Sequence, residues 1–309
     1  MTIIAETQRE EKESILHLKT SPIHIKGILS ATDLSESATR ALKVAARLAK
    51  HLHSRLHVLH AIAPQVYVPG GAGLTPLLHE VDIKEAKAAL HKYVVKVPEV
   101  RVLKHEELIV CEPPTDAIAS AVETKGIDLV VMGSHGRGGL GKLLLGSNAE
   151  AAIRRLHCPI LVVGPHCRAN HGSLKSLVLA TELPTGTLRA TQYAMGIVQA
   201  FGCNATLVHV LTAIDRNADS IEAEKSEAMK QLRQLVPAEP ELARRVRCEV
   251  AVGNRAEQIV DTARECRAGL IVMGVREHQI FADHAPWATL SEVIRTARCP
   301  VLAVSPHLV

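Results

Sequence analysis

Apolar residues in this chain come as short continuous runs, separated by longer stretches with helical spacing. In the first half, Gly27–Ala31, Leu56–Ala61, Val102–Val110, Leu129–Met132 and Ile160–Val163 read as strands. Between them, Ala38–His51 sets Ala41, Leu42, Ala45, Leu48 and Leu52 along a single face and predicts a helix; Ile83–Val95, Asp116–Lys125 and Asn148–Leu156 predict three more. Strands that are apolar throughout, rather than alternating, are buried on both faces, as in a parallel sheet covered by helices. Right-handed crossovers then give a doubly wound, Rossmann-like α/β fold whose ligand crevice lies at the carboxyl ends of the strands.

The whole plan occurs twice. Ile127–Gly133 recurs as Ala268–Gly274 and Ala152–Val163 as Val293–Val304, both 141 residues on; Leu29–Leu34 recurs as Val178–Leu183 and Leu59-His60 as Val208-His209, both 149 residues on. The difference of eight places extra residues of the first copy near Tyr67–Pro76, where Gly and Pro mark a loop. The expected organisation is a polar extension over residues 1–24, one α/β domain over 25–164, a short linker, and a second domain over 175–309.

Composition narrows the classes. With 47% hydrophobic residues a packed core is expected, and with 2% aromatics it must be aliphatic, which argues against stacking platforms for single-stranded nucleic acid. A net charge of +4 is too small for a nucleic-acid or membrane footprint. No apolar stretch reaches the ~18 residues of a membrane span, and Glu6, Glu10, Glu11 and Glu13 stand where a signal peptide would be apolar. Seven cysteines without CxxC spacing suggest neither a disulfide framework nor a zinc site, and a reduced, cytoplasmic setting is expected.

The chemistry sits after the fourth strand, in Gly133-Ser-His-Gly136-Arg-Gly-Gly-Leu-Gly141-Lys-Leu-Leu-Leu-Gly146-Ser147-Asn148. Glycines let a backbone approach phosphate oxygens and point successive N–H groups at them. The next helix opens at Ser147, where free N–H groups and the helix dipole favour an anion, and Arg137 and Lys142 add charge for outer phosphates. Two common motifs overlap this loop and fail. GxGxxG over Gly136–Gly141 follows the fourth strand instead of the first, and GxxxxGK over Gly136–Lys142 has Leu143 where magnesium needs Ser or Thr. Simpler roles stay open: Ser147 with Glu150 forms a capping-box pattern, Asp33 suits a helix N-cap, and the glycines suit a plain turn.

The spacing Gly133-x2-Gly136-x9-Gly146-Ser147 resembles the ATP loop of the universal stress protein family. The resemblance covers both copies, through the Ala-Thr-Asp strand end, the strand ending in His, the Met-Gly turn and the Cys-Pro final strand. It implies that adenine and ribose lie against Ala31, Asp33, Ala61, Met132 and Gly133, and that Gly136, Gly146, Ser147 and Asn148 wrap the triphosphate. Ala61 stands where family members often carry Val. The implied function is a cytoplasmic ATP-binding stress regulator, with or without magnesium, that shows little turnover because the loop offers no general base. A slow ATPase or nucleotide-transfer enzyme, and a scaffold binding a protein or apolar ligand through Phe281 and Trp287, are the alternatives.

In the second copy Gly136 becomes Glu277, Arg137 becomes His278, Lys142 becomes Asp283, Gly146 and Ser147 become Trp287 and Ala288, and Asp33 becomes Glu182. Carboxylates facing phosphates repel them, so one working site is expected. The histidines at 51, 53, 57 and 60 show no metal spacing and are expected to be solvated or capping; Cys158 and Cys299 are expected to be buried and inert. The apolar final strands, Ile160–Val163 and Val301–Val304, are expected to pair with each other as sheet edges within one chain, forming a pseudo-dimer, with a dimer of whole chains as a further expectation. Cysteines placed at Val162 and Ala303 would then cross-link within single chains.

Overall fold

The computed structural model describes residues 23–62, 66–67, 75–76, 80–136, 145–168, 174–183, 188–212, 218–275 and 285–305. They fall into two compact units, one of residues 24–168 and one of residue 23 with residues 174–305.

The first unit holds β1 (Gly27–Ala31), α1 (Glu36–Leu52), β2 (Arg55–Ala61), a two-residue antiparallel pair β3 (Val66–Tyr67) and β4 (Thr75–Pro76), α2 (Glu80–Val94) and the single turn α3 (Pro98–Arg101). Then come β5 (His105–Val110), α4 (Pro114–Lys125), β6 (Leu129–Gly133), α5 (Ser147–Arg155) and β7 (Ile160–Val163). Its main sheet is parallel, in the order β5-β2-β1-β6-β7. The second unit repeats this with β8 (Ser176–Ala180), α6 (Leu188–Phe201), β9 (Asn204–Leu211), α7 (Ala218–Gln234), α8 (Pro240–Ala243), β10 (Val246–Val252), α9 (Arg255–Glu265), β11 (Leu270–Gly274), α10 (Ala285–Thr296) and β12 (Val301–Val304). Its sheet is parallel as well, in the order β10-β9-β8-β11-β12.

Burial explains the elements. Ile28, Leu29, Leu56, Val58, Val130, Val131 and Val162 are closed to solvent, so both faces of the strands are covered, as the unalternating runs require. Helix α1 turns Ala38, Ala41, Leu42, Ala45, Ala46 and Ala49 inward; a face so rich in alanine lets the helix lie close on the sheet. Ser35 caps its start through a bond from the Ala38 N–H, and His53 ends it in the left-handed conformation, its N–H reaching Ala49.

Several boundaries differ from the sequence reading by one to three residues. The third long strand begins at His105 rather than Val102, because Val102 lies in an exposed turn (72%) after α3, a helix the periodicity did not predict. Helix α5 begins at Ser147 and ends at Arg155.

Candidate functional site

Strands β1 and β6 lie side by side, and the pairing of Ser30 with Val131 brings Ala31 level with Met132 at their carboxyl ends. Here the chain order reverses: β1 leads out to β2 and β5, while β6 and β7 lie on the other side. A doubly wound sheet opens its ligand crevice at such a switch point. Ala61 ends β2 next door, level with Val110 of β5.

Beyond β1 the backbone turns sharply. Leu34 has φ 66, a left-handed conformation that costs a residue with a side chain about 1–2 kcal/mol. Three short bonds hold the turn: Thr32 Oγ1 accepts from the Leu34 N–H (2.9 Å), Asp33 Oδ1 from the Ser35 N–H (3.0 Å), and Ser35 Oγ from the Ala38 N–H (3.2 Å). Ser35 is therefore the cap of α1, and the N-cap alternative for Asp33 is overturned: two residues too early, its carboxylate closes the preceding turn instead. Its other oxygen faces Gly136, where a methyl group would stand 2.9 Å from Asp33 Oδ2. The loop leaving β6 thus returns over Asp33 with room for a hydrogen only.

The far end of that loop is equally tight. The Gly146 N–H donates to the Ser134 carbonyl (2.8 Å), and a methyl on Gly146 would meet the same oxygen at 2.9 Å. Gly146 is the N-cap of α5, no side chain caps this helix, and Ser147 is its first helical residue. Glu150 pairs with Arg154 (2.9 Å). The capping-box alternative is corrected accordingly, since Ser147 sits one position too far along the chain. Ser147 and Asn148 are exposed, and the N–H groups of a first turn have no i−4 carbonyl to meet. The helix start, the glycine backbone and Asp33 thus border one space at the switch point. Gly133 joins this space to the frame: a methyl there would press to 2.6 Å from Ser37 Oγ and 3.1 Å from the Ser37 carbonyl carbon in the first turn of α1. Arg137 and Lys142 lie outside the described residues.

Two residues here escaped the sequence reading. Tyr93, near the end of α2, brings its phenol beside the Thr32 and Thr39 hydroxyls without closing a hydrogen bond of normal geometry. Burial pushes its pKa up and the Asp33 carboxylate adds to the rise, against the two hydroxyls. His135 contacts Ser134 Oγ through Nδ1 (2.9 Å), and its Nε2 is buried with no partner among the described residues. A tyrosine on an amphipathic helix reads as core, which is why the pattern alone did not single it out.

The second unit keeps the frame and alters the rim. His209 Nδ1 lies 2.9 Å from the Thr181 carbonyl oxygen, as His60 Nδ1 lies 2.8 Å from that of Thr32, so the His at the end of β2 and of β9 ties down the neighbouring strand in both copies. Glu182, however, reaches the guanidinium of Arg255 (3.5 Å), the first residue of α9; the first copy has Pro114 there. Helix α10 begins at Ala285, so the counterparts of Gly146 and Ser147, residues 287 and 288, are already helical. Glu277, His278, Phe281 and Asp283, and the side chain of Trp287, lie outside the described residues.

The pattern that defines the universal stress protein family matches residues 24–164 and again 174–305. The chain belongs to the universal stress protein family. A universal stress protein of Methanocaldococcus jannaschii is 35% identical over 140 residues, 45% of this chain and 81% of its own length. One of Mycolicibacterium smegmatis is 25% identical over 300 residues, 91% of this chain and 97% of its own. The crystal structure of a universal stress protein from Archaeoglobus fulgidus matches with a TM-score of 0.62 at 20% identity, covering 94% of this chain and 98% of that one, and so shows the shared fold. Two universal stress domains of Rossmann-like design therefore stand in tandem. Among the described residues no helix is long and apolar enough to cross a membrane, and no three His, Cys, Asp or Glu gather to hold a metal ion.

Proposed function

We propose that this universal stress protein is a cytoplasmic ATP-binding regulator with one working nucleotide site, in its first domain. The observation that carries the reading is the contrast between the two helix starts. In the first domain Gly146 caps α5 against Ser134 and leaves Ser147 and the first-turn N–H groups turned to the switch point; in the second, helix already occupies the corresponding positions. The residues present fit a triphosphate. At Gly136 and Gly146 a methyl group would collide with Asp33 and Ser134, so backbone rather than side chain borders the space, and backbone N–H groups near a helix start suit phosphate oxygens. Bound ATP would supply the phosphate charge that the helix start and the glycine backbone meet. On this reading Ala31, Asp33, Ala61, Met132 and Gly133 hold base and ribose, and Gly136, Arg137, Gly146, Ser147 and Asn148 hold the phosphates.

Calorimetric titration should give one ATP per chain, and protein purified without added nucleotide should release ATP on denaturation. Gly136→Glu, which imports the residue of the second copy, should abolish binding. Two equal sites, or unchanged affinity in that variant, would overturn the proposal. Because the loop sequence offers no identifiable general base, hydrolysis should stay below about one turnover per minute, against ~1–1000 per second for typical enzymes; turnover above one per second would move the protein to the ATPase class.

A further inference from the structure

At the opposite end of the first domain's sheet, under the amino ends of β1, β2 and β5, lies an open cavity of about 1050 Å³. Lys26, Lys50, Arg55, Lys104 and Lys125 line it, with His57 in its wall. Lys125 is neutralised by Glu106 (2.6 Å). The side chains of the other four cations make no ion pair with any described residue, and the nearby Asp128 carboxylate is taken up by the N–H groups of Lys26 and Gly27 (2.6 and 2.9 Å). Four such cations around a concavity, against the single nearby Asp128 carboxylate, raise the local concentration of anions.

His57 adds an independent observation. The sequence suggested a solvated or capping histidine, yet its side chain is only 1% exposed, because position 57 of β2 faces inward beneath the end of α4. Nδ1 stands 3.0 Å from Glu106 Oε2 without closing a hydrogen bond of normal geometry, and Nε2 has no hydrogen-bond partner among the described residues. A buried polar atom left open in this way costs free energy unless something else fills the position.

We infer that this basic cavity is a second ligand site, built for a small multivalent oxyanion of the phosphate class, with the four uncompensated cations meeting its charge and His57 offering a hydrogen-bonding position in the wall. It stands apart from the nucleotide loop and does not depend on how that loop is used. The volume admits a phosphorylated small molecule or a short polyphosphate, while a chain of net charge +4 has too little cationic surface for nucleic acid.

Inorganic tripolyphosphate is the probe, titrated into the full chain at physiological ionic strength. The Gly136→Glu chain, altered only at the loop, should still bind it, whereas Lys50→Glu with Lys104→Glu should weaken binding roughly tenfold or more. Lys50 and Lys104 are exposed, so folding of the double variant is expected and circular dichroism checks it. Amide resonances of the unaltered chain give a readout that needs no variant. Shifts at Lys26, Lys104 and Gly126 together with the His57 ring support the site; shifts confined to residues 133–148, or equal affinity in the double variant, overturn it.

Discussion

Replacing Ser147 by alanine separates two roles that look alike in sequence. An N-cap serine bonds the N–H two or three residues on, and its loss costs about 1 kcal/mol of stability. Ser147 makes no such bond: Gly146 holds the cap position, Glu150 is turned to Arg154, and the Ser147 hydroxyl is exposed. Surface replacements without such a role stay within about 0.5 kcal/mol. Alanine is also a good helix former, so the melting temperature without nucleotide should move by less than about two degrees. If the hydroxyl donates to a phosphate, a bond to a charged group worth about 1.5–3 kcal/mol disappears, which is a roughly 10- to 150-fold weaker Kd for ATP. Denaturant unfolding of the empty protein and calorimetric titration of the same samples measure both quantities. A variant that loses about 1 kcal/mol of stability while binding ATP unchanged would restore the capping role and refute the reasoning.

Glycine substitutions at the site should divide in the same manner. Gly133→Ala drives a methyl into the backbone of α1 and should cost about 1–3 kcal/mol; Gly136→Ala meets only the end of the Asp33 side chain and should spare stability while weakening ATP binding, both read by thermal melts and titration. Among the cysteines, burial pushes Cys158 up to about 12 and Cys167 and Cys203 up to about 11. At pH 8 their thiolate fractions are then roughly 10⁻⁴ to 10⁻³, against about a quarter for a free thiol. Native iodoacetamide mapping should label Cys111 and Cys266 first, and Cys158 reacting as fast as Cys266 would contradict this. Burial also holds the His57 imidazole below its ordinary 6.5, ahead of the opposing pull of Glu106, so the unfolded chain takes the proton more readily. Stability should therefore be full above 6.5 and fall as pH drops through that value; His57→Gln should flatten the slope of the melting temperature between pH 7.5 and 5.5.

Much of this was legible in the sequence because buried parallel strands advertise themselves. Gly27–Ala31 and Ile160–Val163 were delimited to the residue, and the duplicated Met-Gly and Cys-Pro segments located both copies. The loop Gly133–Asn148 stood out because glycines so dense beside a helix start have few structural uses. What stayed hidden depends on one-residue offsets or on depth. Whether Ser147 is the cap or the first helical residue turns on the Gly146–Ser134 bond, which no spacing encodes. Asp33 and Ser35 are both good caps by type, and the left-handed Leu34 between them decides for Ser35. His57 passed for a solvated histidine because three others stand close by in the chain, and only the neighbouring Glu106 and the end of α4 reveal that it is buried.

The tight contact at Gly133 has a consequence for how such a duplicated chain can diverge. The second copy has given up the counterparts of Gly136 and Gly146 but retains Gly274 at the end of β11, where Gly133 ends β6. On the proposed reading the first two glycines border the ligand's space, whereas a methyl at Gly133 would press on the protein's own helix. A copy released from ligand duty, as proposed for the second, is free to fill the former, whereas filling the latter would cost stability. The two halves of this chain thus form an internal experiment, separating residues answerable to a ligand from residues answerable to the scaffold. Restoring glycine at Glu277 and Trp287 alone would not recreate a site, because the longer start of α10 would first have to unwind.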